Sequence, residues 1–481
     1  MSFGTSTPPS SLDFRKALCA LGRTFSIEAL CTGAAAELAR RSLERARKLA
    51  QRESPLQPLL VLWLVVCLPI FRGDSIPAIL GRLLDALRTR IRGLPLRVVT
   101  DGAVAHARQR LGVRPLRFFF KAIAKETACR PSFHDFRVKV IDGVRLNLPD
   151  TPANVRAFGR PKSQRGPSAF SQLLAVVLLD AVTRAPLDAK IASYKASERA
   201  AADRLLRSVG VGDLLLLDRG LFGLAFFRAI RAREAHFLGR APACVRLDPI
   251  GGKKARRTGD YRAILHCRVP LAAGEARAER SKTKEVEMTV RVIEYRARGF
   301  KTVRLVTSLL ESGVAAEELI RLYHCRWEVE LAFDEAKTVQ AAPAKGTLQT
   351  ELRSKTPRGV LQETYALLAS YALVRQTIAA AAAAHGLAPE HVGFADALRV
   401  IKAALHRLLG ARAEDLPRFH RQMLADLALC RLTRPRRRRR YPRVVKRKIG
   451  KFPLKRPCHQ ALAPLDPAAA FRARHPRACR V

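Results

Sequence analysis

The feature that most constrains the fold is a change of sequence pattern at Phe136. From there to Ala241 the chain consists of short apolar runs of β type, separated in part by helical patterns. The apolar runs are VKVIDGVRLNL, SQLLAVVLLDAV, LDAKIAS, DLLLLD and HFLGRA, and the helical patterns are SERAAADRLLRSVG and LFGLAFFRAIRARE. Three β runs come first, and a helical pattern precedes each of the other two. This order, in which strands alternate with helices after an initial three-strand meander, predicts an α/β fold.

A second feature is the stretch LYHCRWEVELAFDEAK, which runs from Leu322 to Lys337. Wound as one helix at about 100° per residue, it places four polar residues within roughly 60° of one another. They are Tyr323, Arg326, Glu330 and Lys337. The adjoining flank is an apolar stripe of the kind that packs a helix onto a core, made of Leu322, Cys325, Val329, Ala332, Phe333 and Ala336. Ion pairs along a solvated helix face are an alternative interpretation of the polar residues.

The polar residues of this stretch fit the pattern Tyr-x2-Arg-x3-Glu-x6-Lys without a gap. Upstream, VKVIDGVRLNLPDTPANVRAFGRP carries Asp142 and a D-T-P-x-N…F-G-x-P continuation, and GDLLLLDRGLF carries Asp218 after an apolar run. On these motifs the sequence resembles the DDE transposases of the insertion sequence four family. VTDGAVAHARQRLGVRPLRFFF resembles the family's amino-terminal helical region and RPRRRRRYPRVVKRKIGKFPLKRP its carboxyl-terminal tail, so the resemblance spans most of the chain.

The resemblance implies an α/β fold with a ribonuclease H-like catalytic core. In that fold Asp142 would lie on the first strand, Asp218 at the end of the fourth, and Glu330 on a later helix. These three carboxylates would be the catalytic residues and the metal ligands. Hard divalent cations prefer carboxylate oxygens, and two such ions can activate water and stabilise the leaving oxygen of a phosphodiester. We expect Mg²⁺, with Mn²⁺ as a possible substitute.

The remaining members of the motif would bind DNA. The resemblance implies that Tyr323, Arg326 and Lys337 hold phosphates beside the metal, where arginine can make paired hydrogen bonds and lysine acts as a point charge. Trp327 would stack on a base, or else serve only as a packing residue. His324 has no functional partner in the pattern, and we interpret it as structural.

The net charge points to a polyanionic partner. The chain has 88 Lys and Arg residues against 41 Asp and Glu, a formal charge of +47, and such an excess favours nucleic acid. Charge alone leaves a passive nucleic-acid-binding protein open, but such a protein would not need the three carboxylates. A metal-dependent nuclease of the same fold would need them and would lack the Tyr-Arg-Glu-Lys pattern. These residues favour a transposase over both alternatives. The family resemblance implies that it binds the terminal inverted repeats and target DNA as a synaptic homodimer and carries out cut-and-paste transposition.

The sequence pattern divides into four regions. Residues 1–135 are predicted to be a helical DNA-binding domain with a helix-turn-helix-like unit and exposed arginines at Arg97, Arg108, Arg110 and Arg114, or else a helical packing domain. Residues 136–241 and 309–410 are predicted to form the catalytic core. Residues 242–308, part of the 112 positions between Asp218 and Glu330, are predicted to be an inserted β-rich subdomain that touches DNA. Residues 411–481 form a basic region that supplies affinity through phosphates.

The cysteines and the apolar segments indicate where in the cell the protein is expected. The ten cysteines occur singly, with no metal-binding spacing, which predicts buried or free thiols in a reducing cytoplasm. The start of the chain has no signal-peptide pattern. LQPLLVLWLVVCLPIF, from Leu56 to Phe71, is taken as the only candidate span, but it is shorter than the roughly 20 residues a bilayer needs, so we predict a buried helix. The expected location is the bacterial cytoplasm, on the nucleoid when bound to DNA, with no membrane partner.

Overall fold

The computed structural model describes most of the chain in two compact units. The described residues are 34–49, 56–88, 100–127, 130–163, 166–270, 283–296, 301–311, 313–341, 350–411, 414–432 and 467–475. Unit 1 comprises Met1–Cys129, Gly143–Ser197 and Glu330–Thr433. Unit 2 comprises Arg130–Asp142, Glu198–Val329 and Arg434–Val481. Arg97 and the densest part of the basic tail, which figured in the sequence predictions, lie outside the described residues.

The described part of the amino-terminal third is helical, as predicted. Its helices are α1 (Ala34–Arg45), α2 (Pro58–Ile70), α3 (Ile76–Arg88), α4 (Asp101–Leu111) and α5 (Arg114–Glu126). The middle of the chain then alternates strands and helices: β1 (Arg137–Leu148), α6 (Pro152–Phe158), β2 (Ser171–Asp180), β3 (Pro186–Ser193), α7 (Glu198–Asp203), β4 (Asp213–Leu217), α8 (Leu224–Arg231) and β5 (His236–Arg240).

The rest of the described chain is first β-rich and then helical. It contains β6 (Leu247–Pro249), α9 (Gly252–Arg256), β7 (Asp260–Pro270), β8 (Thr283–Tyr295), β9 (Val303–Thr307), α10 (Ala316–Cys325) and α11 (Trp327–Asp334). A π-helical turn (Glu335–Gln340) follows directly. The last helices are α12 (Pro357–Ala384), α13 (Phe394–Gly410), α14 (Leu416–Leu429) and α15 (Pro467–Arg474).

Two apolar helices form the centre of unit 1. Helix α2 is apolar on every side, and each of its residues after Pro58 is buried, which confirms the predicted buried helix. It packs against α12, and its Trp63 ring meets Phe119 of α5 edge-on at 5.2 Å between centroids. Helix α12 is itself long and apolar enough to cross a membrane, so it was wrong to take the earlier segment as the only candidate span. Because 72% of its most apolar window is buried, packing within unit 1 accounts for that composition.

Polar contacts tie the amino-terminal helices into unit 1. Arg108 of α4 donates to Ser354 Oγ at 2.9 Å and pairs with Glu363 of α12 at 3.2 Å, with only 12% of its side chain exposed. The prediction that Arg108 is exposed was therefore wrong, because its guanidinium group binds two buried side chains much later in the chain, Ser354 and Glu363. Arg110 and Arg114 are exposed as predicted.

Each unit contains part of a sheet that includes β1. In unit 1 the strand order is β3–β2–β1, with β2 and β3 antiparallel. In unit 2 the order is β1–β4–β5–β9–β8–β7–β6. Strand β4 runs parallel to both β1 and β5, whereas the pairs from β5 to β6 are antiparallel. The apolar runs that predicted these strands are therefore confirmed as strands.

A buried charge cluster fixes the register of β1 on β4 in unit 2. The Asp213 carboxylate, 1% exposed, accepts from Arg137 Nε at 2.8 Å and from Lys139 Nζ at 2.7 Å, and it also accepts from the backbone N–H of Gly210 at 2.8 Å. Arg137 stands directly opposite Asp213 in the ladder. A slip of β1 would leave a buried carboxylate without its cations, which is costly.

The last described helix belongs to unit 2. Helix α15 packs on α10 and β8, with Ala468 and Phe471 fully buried. His475 follows it, and its Nδ1 lies 3.1 Å from the carbonyl oxygen of Arg257. Part of the region predicted only as a basic tail is thus an ordered helix with an apolar contact face.

Candidate active site

Two of the predicted carboxylates lie close to the end of the β1–β4 ladder in unit 2. The last pair of this parallel ladder is Val140 with Leu216. Asp142 is two residues further along β1, and Asp218 directly follows the last residue of β4. Both aspartates are half-buried.

The loop after β4 holds the Asp218 carboxylate. Its Oδ1 accepts a hydrogen bond from the backbone N–H of Leu221 at 2.9 Å. Gly220 lies against the same carboxylate, because a Cβ there would be 3.3 Å from each of its oxygens. The position of the carboxylate thus follows the backbone of the loop, and the glycine leaves room for it.

A cleft of about 430 Å³ opens beside this carboxylate within unit 2. Its lining is rich in positive charge and consists of Asp218, Arg219, Gly220, Arg240, Tyr323 and Arg326. Arg326 also lies against the other aspartate, with its Nη1 3.6 Å from Asp142 Oδ2. Three guanidinium groups beside one carboxylate suit an anionic ligand that is held next to a cation.

Tyr323 is the least exposed side chain of this lining. Burial raises the pKa of its hydroxyl, although the nearby cations of Arg326 and Arg240 act in the opposite direction. The neighbouring Asp218 carboxylate also raises this pKa. Tyr323 therefore stays protonated at neutral pH and keeps an O–H that can donate to a phosphate oxygen.

The prediction of one continuous helix from Leu322 to Lys337 was wrong. Helix α10 ends at Cys325, and tight bonds from Arg326 N to Tyr323 O and from Val329 N to Arg326 O mark the junction with α11. The backbone changes again at Glu335, where the π-helical turn begins. The single winding that placed the four polar residues on one face does not describe this segment. In the predicted apolar stripe, Val329 and Ala332 are buried but Cys325 is exposed.

A buried ionic cluster in unit 1 surrounds Glu335, the first residue of the π-helical turn. Glu335 accepts from Arg184 Nη1 at 2.8 Å and from the Tyr371 hydroxyl at 2.9 Å, and it pairs with the fully buried Arg375. These partners fix Glu335, and the bond from Ala341 N to Ala336 O at 3.0 Å spans five residues. Such single-turn π segments are often found at functional sites.

The other motif residues of unit 1 are differently placed. Glu330 is exposed on α11. Lys337 lies within the π-helical turn, where its Nζ is 3.1 Å from Glu351 Oε1 and donates to the carbonyl oxygen of Arg145 at 3.1 Å. In this structure the lysine is thus held by protein groups. Trp327 begins α11, but its side chain lies outside what the structure describes.

The donor set partly fits a divalent cation. Asp142 and Asp218 supply carboxylate oxygens, which a hard cation prefers. Among the described residues, no group of three or more His, Cys, Asp and Glu side chains is gathered closely enough to hold a metal ion. Within unit 2, Arg326 links the two aspartates, because it lies against Asp142 and lines the same cleft as Asp218 and Tyr323.

Comparison with known proteins decides the family. The sequence profile of the "Transposase DDE domain" family matches residues 134–372, and that of "Insertion element 4 transposase N-terminal" matches residues 24–121. Transposase InsG for insertion sequence element IS4, from Escherichia coli K12, is 28% identical over 420 residues, which are 84% of this chain and 88% of InsG. The chain is a DDE transposase of the insertion sequence four family.

Two further relatives are more distant. The putative transposase InsZ of Escherichia coli K12 is 25% identical over 129 residues, 26% of this chain and 43% of InsZ. A solved structure of a piggyBac transposase synaptic complex with hairpin DNA has a TM-score of 0.42 and 12% identity, and it covers 88% of this chain and 84% of the other. A structural likeness of that size supports no inference about function.

Family membership settles the general activity of this transposase. DDE transposases cleave DNA and transfer its strands with a divalent metal, so the chain is an enzyme and DNA is its partner. The nuclease and the passive binder that the sequence left open are not favoured. Arg219 and Arg240 line the cleft but were absent from the predicted site, because neither belongs to the Tyr-Arg-Glu-Lys motif. Arg219 directly follows Asp218 in the sequence, whereas only the folded chain brings Arg240 beside it.

Proposed function

We propose that this transposase cuts and joins DNA with Asp142, Asp218 and Glu330 as its metal ligands. The single observation that carries the proposal is that Arg326 lies against Asp142 and lines the same cleft as Asp218. Glu330 enters through the spacing of the motif. Mg²⁺ is the proposed ion, with Mn²⁺ as a substitute, and when bound it would activate the attacking hydroxyl and stabilise the leaving oxygen.

A ribonuclease H-like core is part of the proposal. The order β3–β2–β1 in unit 1 and the parallel order β1–β4–β5 in unit 2 support it. Each of these two orders is one that we expect of this fold. The family profile over residues 134–372 covers all of these strands.

The cleft of unit 2 would receive the DNA backbone. Arg326 and Arg240 carry guanidinium groups that can bind one phosphate in paired hydrogen bonds, and Tyr323 adds a protonated hydroxyl. Arg326 also lies against Asp142, so it would hold the phosphate next to that carboxylate. Lys337 would add a point charge once a phosphate competes for it with Glu351, and Trp327 would stack on a base.

The proposed reaction sequence uses one site for successive nucleophiles. Water attacks the phosphodiester at the element end, and the released 3′ hydroxyl then attacks the opposite strand or the target. No covalent protein intermediate is required. The result is the excision of the element and its joining to a new site.

Recognition would come from other parts of the chain. We assign the terminal inverted repeats to residues 1–135, supported by the helical structure there and by the match to the family's amino-terminal profile. The β-rich residues 242–308 and the basic residues 411–481 would add contacts to phosphates. The excess of positive charge suits a cytoplasmic protein bound to the nucleoid, and the family resemblance suggests a homodimer that joins two DNA ends.

The experiment is a cleavage assay on a duplex with the element's own terminal repeats. Asp142→Ala, Asp218→Ala and Glu330→Ala should each abolish nicking at every Mg²⁺ concentration, while binding to the ends in EDTA persists. Arg326→Ala should instead weaken the reaction by about 10- to 150-fold, the worth of one charge-assisted hydrogen bond of ~1.5–3 kcal/mol, without a changed need for metal. Asp415→Ala, which removes an exposed carboxylate, is the control. An Asp142→Ala protein that nicked at the wild-type rate would rule out this mechanism.

A further inference from the structure

The loop that carries the Asp218 carboxylate is held from both sides. On its inner side Leu221 and Phe222 are buried, and the Phe222 ring packs edge-on against Phe227 at 4.9 Å between centroids. On its outer side lies Arg199 of α7. Its Nη2 donates to the carbonyl oxygen of Gly220 at 3.2 Å and also to that of Phe222.

The glycine at the end of this loop makes room for that arginine. A Cβ at Gly223 would lie 2.5 Å from Arg199 Nη1 and 3.0 Å from its Cζ. The φ of Gly223 is 176°, an extended conformation that any residue adopts, so backbone strain does not require glycine here. What requires it is the space that the guanidinium occupies.

We infer that Arg199 is a positioning residue, which holds the loop after β4 and thereby the carboxylate of Asp218. The inference rests on the proposed role of Asp218 as a metal ligand. The carboxylate takes its place from the Leu221 N–H, and the two carbonyl groups that Arg199 binds belong to the residues on either side of Leu221. A planar guanidinium can bridge two carbonyl oxygens and lose little freedom per hydrogen bond. Groups that orient a metal ligand typically change metal affinity or activity by about 10- to 100-fold when removed.

Arg199 is an exposed side chain, and its removal should therefore leave the fold intact. An exposed arginine near a DNA cleft could also act by binding phosphate directly. The two roles differ in what Gly223→Ala does. That substitution keeps the positive charge and pushes the flexible end of Arg199 away from the two carbonyl groups, so it disturbs positioning but not the charge.

The experiment uses the full chain and compares Arg199→Ala, Gly223→Ala and the double variant. Binding of Mn²⁺ without DNA is followed by the loss of the free-ion paramagnetic resonance signal, and Mg²⁺ dependence is followed by cleavage of the repeat-ended duplex. We expect each single variant to weaken Mn²⁺ binding and raise the half-saturating Mg²⁺ concentration by about tenfold or more. The double variant should be no worse than the worse single one, because both act through one contact.

Controls separate this inference from the proposed function. Arg228→Ala removes an exposed arginine from the adjacent helix α8 and should change neither metal readout. Effects of Arg199→Ala and Gly223→Ala that add in the double variant would overturn the inference, and so would Arg199→Ala weakening DNA binding in EDTA with unchanged metal binding. Asp218→Ala is the reference: if it binds Mn²⁺ and cleaves like the wild type, the proposed function itself fails.

Discussion

Replacement of Asp213 by asparagine should strongly destabilise unit 2, although Asp213 does not line the cleft. The change is isosteric but removes a charge that is 1% exposed and that neutralises Lys139, itself 9% exposed. Breaking a buried pair by removing one partner costs ~3–5 kcal/mol, which is roughly a 10²- to 10⁴-fold change in the ratio of folded to open states. In the wild type each oxygen of Asp213 accepts from one cation. In the asparagine variant one of these oxygens becomes an NH₂ group, which places a donor against the donor of Arg137 or Lys139.

Hydrogen exchange measured by mass spectrometry is a suitable assay, because it reports local opening in a chain too large for two-state unfolding. Peptides from β1 and β4 should exchange faster in Asp213→Asn, and urea unfolding followed by circular dichroism should shift to lower urea. Lys139→Met combined with Asp213→Leu should recover part of the loss, with a coupling energy of about 1–3 kcal/mol. Asp415→Asn, which breaks an exposed pair with Arg418, should change stability by less than ~0.5 kcal/mol. If Asp213→Asn matched that control, the cluster would not fix the strand register.

Three other outcomes follow from the chemistry of the chain. Deletion of Arg434–Arg456 should weaken binding to any duplex and flatten the slope of log K against log salt by about 0.9 for each phosphate that the shortened chain no longer neutralises; an unchanged slope would contradict a phosphate-binding role. Gly220→Ala should move the Asp218 carboxylate, whose oxygens would lie 3.3 Å from the new Cβ, and raise the Mg²⁺ requirement by about tenfold without changing end binding in EDTA. Several tyrosines should make the fold sensitive to alkali, since burial raises their pKa and the folded chain then keeps protons that the unfolded chain releases. Urea unfolding from about pH 9 to about pH 11 should show stability falling as the pH rises above ~10, and a flat profile would contradict the raised pKa values of Tyr261, Tyr295, Tyr323 and Tyr371.

The strands were predictable because their signal is local. A solid apolar run such as LLLL before Asp218 can be buried on both faces only within a covered sheet, and the structure has β4 there with every residue buried. The position of Asp218 directly after an apolar run was likewise readable from the sequence, whereas β1 continues past Asp142 to Leu148, which the run before Asp142 does not reveal.

The backbone change at Glu335 was not predictable from periodicity, because the residues that contact Glu335 are distant in the sequence. Glu335 is fixed by Arg184, Tyr371 and Arg375, which lie far from it in sequence, and no local pattern reveals them. The same holds for Arg199, whose importance depends on the missing Cβ of Gly223. Arg240 ends a strand that was predicted, but its guanidinium enters the cleft only through the folded sheet.

The parallel pairing of β1 with β4 also determines when this part of the enzyme can assemble. Arg137 and Asp213 are separated by 76 positions along the chain. Because a ribosome adds about 5–20 residues per second, β4 is synthesised roughly 4–15 s after β1. Strand β2 is made within that interval and is also a neighbour of β1, but the pairing of Val138 and Val140 with β4 is still missing, and unpaired apolar strands promote aggregation. We therefore expect added chaperones, which cover unpaired apolar segments during synthesis, to raise the yield of soluble transposase. Asp142 is made early, whereas Asp218 follows only when the fourth strand is complete.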